Sequence, residues 1–167
     1  MSKISKFFKI INLARNLGIE ETLSRIESRD SLTGLYDRRA MKGRRDVDVS
    51  IIFMDIDNFK DINDNRGYQE GDRVLKEFGS IIISCSRKDD LFVRWGGDEF
   101  VMILPQTKAK EAEVLIERIK SEARERLPLL KFSCGIVENE GEKDISDLVK
   151  QASAIMQENK KRNKEVL

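Results

Sequence analysis

The apolar positions of the chain change their period from one stretch to the next. Ile4, Phe7, Phe8, Ile11, Ala14, Leu17, Leu23 and Ile26 recur at mostly three- and four-residue steps, the spacing of one face of an amphipathic helix. Gly18 bends or interrupts it. Such a stripe packs either on the domain that follows or on the same stripe of a second chain, as a coiled-coil stalk. Asp30-Ser31-Leu32-Thr33-Gly34-Leu35 then breaks the pattern with cap and turn residues, and residues 38–45 form a short, very basic segment.

Residues 49–54 are an apolar run that reads as a buried strand and stops abruptly at Asp55-Ile56-Asp57. Two-residue alternation sends Asp55 and Asp57 to one side and Ile56 back into the core. A short helix over 59–66, a loop over 67–71 and a helix over 72–84 are expected next, with Asp72 as the N-cap of the second. The apolar residues 91–93 and 100–104 flank Arg94-Trp95-Gly96-Gly97-Asp98-Glu99. This pattern predicts a β-hairpin turning at Gly96-Gly97, a pair that accepts positive φ at both central positions. A helix over 108–126 stopped by Pro128, a strand over 130–137 and a helix over 145–163 complete the chain. Strands alternate with helices around a central antiparallel hairpin, which is the pattern of an α/β (α+β) domain over 29–167 preceded by a helix in 1–28.

Composition narrows the chemistry. At 167 residues the chain is one domain. No apolar run reaches membrane-spanning length and no secretory core opens the chain, so the expected location is cytoplasmic. A net charge of +1 supplies no overall field for a nucleic acid polymer, yet charge is locally uneven. Asp55, Asp57, Asp61 and Asp64 gather against Lys60, while Lys160, Lys161, Arg162 and Lys164 crowd the last helix. Histidine is absent, and Cys85 and Cys134 stand far apart with no pairing motif. Zinc sites and histidine-dependent nucleophiles are thereby disfavoured. The expected metal is a hard cation held by oxygen, Mg²⁺ or Mn²⁺. Proton acceptors are limited to carboxylates, lysines and solvent. On its own, Gly-Gly-Asp-Glu is equally a solvated turn with charged shoulders, and the hairpin alone leaves both readings open.

Three separated segments decide between them. Asp30-Ser31-Leu32-Thr33-Gly34-Leu35, the block Asp55-Ile56-Asp57-x-Phe59-Lys60-x-x-Asn63-Asp64 and the hairpin Gly96-Gly97-Asp98-Glu99-Phe100 resemble, in order and at compatible spacing, the diguanylate cyclases of the GGDEF family. The resemblance runs from Asp30 to the C-terminus. It implies a five-stranded mixed sheet with flanking helices, similar to nucleotidyl cyclase and polymerase palm cores. It also implies the condensation of two GTP into cyclic di-GMP and two pyrophosphates between two facing domains of a homodimer. Asp55, the Ile56 carbonyl, Asp98 and Glu99 match the positions that hold two metal ions per active site, and Asp98 also matches the proposed acceptor of the 3′-hydroxyl proton. Phe59 and Lys60 match the phosphate cradle, with Lys60 stabilising transition-state charge. Asn63 and Asp72 match the pair that reads the guanine edge. Gly96, Gly97 and Tyr68 fall at substrate-contacting positions, and Lys160 and Lys164 match the family's cations on the terminal phosphates. Arg87 and Asp90 match an Arg-x-x-Asp site for product inhibition, with Arg118 as its second arginine.

The chain departs from the family's pattern at several places. Asp37 replaces an asparagine, Tyr68 a histidine and Gln157 a tyrosine, the Gly-Arg-Asn ending is absent, and the segment between Arg38 and Val49 is short. That last change shortens the first helix of the domain. A nucleotide-sensing module of the same fold and a purely structural dimerisation domain are the rival expectations.

Overall fold

A computed structural model of the chain describes residues 28–41, 45–46, 48–141 and 143–165. The amphipathic helix expected over residues 4–26, its Gly18 interruption and its stalk role lie outside the described residues, as does the side chain of Lys164. In chain order the elements are β1 (Tyr36–Asp37), a 3-10 turn (Arg38–Met41), β2 (Arg45–Asp46), β3 (Val49–Ile56), α1 (Phe59–Arg66), α2 (Tyr68–Ser84), β4 (Leu91–Gly96), β5 (Glu99–Pro105), α3 (Ala109–Arg126), β6 (Phe132–Asn139), β7 (Lys143–Asp144) and α4 (Ile145–Glu165). Five strands form one mixed sheet in the order β1-β4-β5-β3-β6, with β1 parallel to β4 and the other pairs antiparallel. β2 and β7 form a separate antiparallel ribbon. Among the described residues of the basic segment 38–45, the 3-10 turn Arg38–Met41 and the start of β2 at Arg45 stand where the shortened first helix was expected.

Strand β3 lies between β5 and β6 and is covered on both faces, which is why it reads as a continuous apolar run rather than an alternating one. Ile52, Met54 and Ile56 pack with Phe78 and Ile82 of α2 and Ile116 and Ile119 of α3. Ile51 and Phe53 face the other way, onto Leu148, Ala152 and Met156 of α4. Phe78 meets Phe100 and Phe132 at ring centroid distances of 5.1 and 5.0 Å, joining α2, β5 and β6. Gly135 of β6 lets α4 come down onto the sheet: an added Cβ there would stand 2.1 Å from the Ala152 carbonyl oxygen.

Three expectations are corrected. Helix α2 starts at Tyr68, not at Asp72, because Gly71 serves as a packing residue rather than a breaker. A Cβ on Gly71 would lie 1.9 Å from Asn63 Oδ1 and 3.2 Å from Phe59 Cζ, so glycine there lets α1 and α2 touch. Asp72 is therefore inside the helix and does not cap it. The hairpin turns at Gly97-Asp98, with Gly96 still paired to Glu99 and the register shifting between Arg94 and Gly96. Only Gly97 of the pair takes positive φ, +23°. Strand β6 begins two residues later than expected, because Leu130 donates to the Leu127 carbonyl (2.8 Å) and closes a turn first. Cys85 is buried and Cys134 half-buried, both as free thiols, with burial pushing the Cys134 thiol up. Among the described residues no helix is long and apolar enough to cross a membrane.

Candidate active site

Alternation along β3 does more than fill the core. Because Ile51 and Phe53 face α4, Asp55 faces it too, just beyond the apolar contact. Buried residues of α4 step by four from Leu148 through Ala152 to Met156, and the next step is Lys160. Its ammonium donates to Asp55 Oδ1 and lies 3.6 Å from Asp57 Oδ1. Asp57 is steadied by Ser133, whose hydroxyl donates to it at 2.9 Å. The expected common side for Asp55 and Asp57 is thus observed.

The hairpin delivers two more carboxylates to the same corner. Glu99 is the register partner of Asp55 across β3 and β5, so two like charges stand directly opposite each other. Asp98 sits in the turn, and its carbonyl accepts the Ile56 amide (3.2 Å), pinning the turn to the end of β3. Burial, then the charge of Asp55, pushes the Asp98 carboxyl above its ordinary value. Burial, then Asp55 and Asp98, does the same to Glu99. For Lys160, burial works against the charge, but hydrogen bonding and attraction from Asp55 and Asp57 prevail and hold the ammonium above the ordinary lysine value.

Three mutually repelling carboxylates that draw in an ammonium suit a cation with oxygen-donor preference. Among the described residues no three such side chains are gathered closely enough to hold an ion by themselves. Lys160 is the cation that stands against them. The repulsion has a measurable sign. Glu99 is protonated more readily folded than unfolded, so its contribution to stability falls as pH rises through the carboxylate range. Glu99→Gln should therefore raise the melting temperature of the metal-free chain at neutral pH, by roughly 2–4 °C per kcal/mol relieved. The gain should shrink as pH falls into that range; a lower melting temperature at neutral pH would contradict it.

Beside the carboxylates, the chain leaves β3 and enters α1. Asn58 precedes the helix in left-handed conformation (φ 54°) and makes no side-chain cap. The amides of Phe59 and Lys60 have no acceptor among the described residues, which leaves a helix N-terminus available to an anion. Lys60 is exposed and Phe59 half-buried on the core. Asn63 lies over Gly71, the residue that precedes Asp72 in α2. Gly71→Ala should push the Asn63 amide aside while the flexible side chain absorbs most of the strain. Guanine nucleotide affinity is then expected to fall about tenfold with a smaller change in melting temperature, whereas unchanged affinity in calorimetry would remove Asn63 from the site. Tyr68 stands 79% exposed at the start of α2, and its hydroxyl makes no hydrogen bond to the described residues.

Sequence reasoning missed the brace that holds the hairpin. Arg94 donates from Nε (3.0 Å) and Nη2 (2.8 Å) to the Gly97 carbonyl and from Nη1 to both Asp30 oxygens (3.1 Å). Asp30 also accepts the Thr33 amide (2.8 Å) and hydroxyl (2.7 Å). The opening turn of the domain and the Gly97-Asp98 turn are thereby one hydrogen-bonded unit. The only local signal was a basic residue three positions before Gly97. Away from this corner, Arg87, Asp90 and Arg118 line a separate cavity of about 240 Å³. The Arg87 amide donates to Asp90 Oδ2 (2.8 Å), and Arg118 donates to the Cys85 carbonyl.

Residues 27–166 match the family described as "Diguanylate cyclase, GGDEF domain", and the chain belongs to that family. It is 35% identical over 147 residues to the diguanylate cyclase DgcM of Escherichia coli (strain K12), a match covering 80% of this chain and 36% of DgcM. The chain thus spans little more than a third of that relative. Among solved structures, the diguanylate cyclase SiaD of Pseudomonas aeruginosa, in complex with its activator SiaC, superposes with a TM-score of 0.73 at 30% identity, over 96% of this chain and 66% of SiaD. The GGDEF domain of DgcB from Caulobacter crescentus, in complex with c-di-GMP, gives 0.72 at 25% identity, over 81% and 89%.

Proposed function

We propose that the chain condenses two GTP into cyclic di-GMP. The observation that carries this reading is the meeting of Asp55, Asp98 and Glu99 with the uncapped N-terminus of α1. Acid suited to a metal stands at the end of β3 and free amides suited to phosphate at the start of α1, with Asn63 on that same helix. The 3′-oxygen of each nucleotide forms a bond to the α-phosphorus of the other, the bond from that phosphorus to the pyrophosphate oxygen breaks, and two pyrophosphates leave. Asp55, the Ile56 carbonyl, Asp98 and Glu99 are suited to hold two Mg²⁺ or Mn²⁺ ions; bound there, such ions neutralise phosphate charge and polarise the α-phosphate. Asp98, raised above its ordinary value, accepts the 3′-hydroxyl proton. The Phe59 and Lys60 amides with the Lys60 ammonium orient the β- and γ-phosphates. Asn63 and the Asp72 carboxylate select guanine, whose N1 and N2 hydrogens meet an acceptor that adenine cannot satisfy. Lys160 exchanges Asp55 for the terminal phosphates, joined by Lys164 from the same helix.

Because each nucleotide is attacked by the other, two copies of the chain must face one another. The rate of GTP consumption per chain should therefore rise with chain concentration and reach a plateau as the dimer forms. A concentration-independent rate from a species that sediments as a monomer would rule out this arrangement.

The cavity around Arg87 and Arg118 binds the product and restrains the enzyme, since paired guanidiniums match guanine O6 and N7 and Asp90 can accept from the base. Arg87→Ala keeps the backbone amide that closes the turn on Asp90. It should raise the cyclic di-GMP concentration for half-inhibition about tenfold or more; an unchanged value would reduce the cluster to surface charge.

A further inference from the structure

A cavity of about 630 Å³ lies between α3, β6 and α4 and reaches Asp57 and Asn58. Its rim carries Lys120, Arg124, Lys131 and Lys160, with Asp57 the one acid, over a floor of Ala123, Leu130 and Phe132. Four cations around one concavity stand out in a chain whose net charge is only +1. The neighbouring cavity of about 540 Å³ gives the contrast, because Arg66, Arg73, Arg126 and Lys131 face Asp57, Asp61 and Glu70 there. With four cations against one acid, the first is the more strongly positive.

Each cation is placed by the fold. Lys120 and Arg124 are four residues apart on α3 and so lie on one face; Lys120 also meets Glu117 of its own helix at 2.7 Å, which leaves Arg124 and Lys131 as the stronger anion donors. Lys131 is held at the mouth because its carbonyl accepts the Asp57 amide at 2.9 Å. Lys160 belongs to both this cavity and the carboxylate corner, and Asn58, the residue before the free amides of α1, also lines the cavity. The cavity is therefore continuous with the place where the β- and γ-phosphates would lie.

We infer that Lys120, Arg124 and Lys131 form a second phosphate-holding wall that receives the leaving pyrophosphate, with Lys160 passing it from the reaction corner into the cavity. This rests on the proposed reaction for the identity of the ligand but not for the anion site itself. The wall draws the leaving group away from the α-phosphate, and it makes inorganic pyrophosphate an inhibitor competing for the end of the GTP site.

Calorimetric titration of the chain with inorganic pyrophosphate, without GTP, tests the site independently of turnover. The double variant Arg124→Ala, Lys131→Ala changes two exposed residues and should lower pyrophosphate affinity by about tenfold or more. Lys131→Arg alone should keep it near the wild-type value. In the turnover assay, the concentration of pyrophosphate for half-inhibition should rise in the double variant by the same factor. Equal affinity in wild type and the double variant would overturn the inference even if cyclic di-GMP is made. Binding that is lost in the double variant of a chain making no cyclic di-GMP would support the anion site and sink the reaction instead.

Discussion

Asp98→Ala is expected to abolish cyclic di-GMP formation, by roughly 10³-fold or more, and to leave the chain folded. The carboxylate is asked to do two things in the proposed reaction, to help hold the metal and to take a proton, so its removal costs transition-state stabilisation without replacement. The fold does not depend on it. The contact that pins the turn is made by the Asp98 carbonyl to the Ile56 amide, and alanine keeps that carbonyl. Arg94 likewise reaches the Gly97 carbonyl rather than the Asp98 side chain. Since burial and Asp55 disfavour the Asp98 charge in the folded chain, the variant should melt at or above the wild-type temperature at neutral pH. Circular dichroism and turnover measured on the same sample separate the two effects. Normal activity would remove Asp98 from the chemistry, and an unfolded variant would mean that the turn depends on its side chain.

The largest effect on stability is expected from Gly135→Ala. An added methyl would lie 2.1 Å from the Ala152 carbonyl oxygen, 2.5 Å from the Met156 nitrogen and 3.1 Å from the Ile155 carbonyl carbon. All three are backbone atoms of α4, so no side chain can swing away, and the helix must lift from β6. Overpacking of this kind costs about 1–3 kcal/mol or more, or roughly 2–4 °C of melting temperature per kcal/mol in a chain of this size. Lifting α4 also draws Lys160 away from Asp55, so the loss should extend to nucleotide affinity. Gly97→Ala gives the contrast, because nothing lies within 4 Å of its added methyl; it should act mainly through the positive φ. A Gly135→Ala chain that melts like the wild type would mean that α4 does not rest on the sheet as described.

How far this architecture was legible depended on whether the information was local. The apolar run of β3 ending in Asp55-Ile56-Asp57 announced both a buried strand and an acidic edge, because burial on two faces and a sudden charge are visible in adjacent residues. The five-stranded sheet and the order of its helices followed from similarly local runs and from the family resemblance. Glycine was where reading failed. Gly71 looks like a loop residue, but its missing Cβ admits Asn63, a contact made across two helices. Gly96 looks like a turn residue, yet the shift in register before it carries the strand one step further and moves the turn onto Asp98. The pairing of Lys160 with Asp55 spans 105 residues and that of Arg94 with Asp30 spans 64. Neither has a local signature, because each exists only after α4 and the hairpin have been placed by the core.

These longer-range contacts also organise the chemistry. Arg94 ties the opening turn of the domain to the turn carrying Asp98, so a displacement of Asp30 is transmitted to the turn that carries the proposed proton acceptor. Lys160 pairs with Asp55 and Asp57, and in the proposed reaction it leaves them for the terminal phosphates. The site thus combines an acidic corner, a free helix end and a basic wall within one small domain.

The measurement that bears most directly on the central claim is product analysis after purified chain is incubated with GTP and Mg²⁺. The proposed reaction predicts cyclic di-GMP and two pyrophosphates for each, with no product when Mg²⁺ is chelated. Guanine nucleotide that binds the chain but is recovered unchanged, with neither cyclic di-GMP nor pyrophosphate formed, would contradict it and leave a nucleotide-sensing module of the same fold.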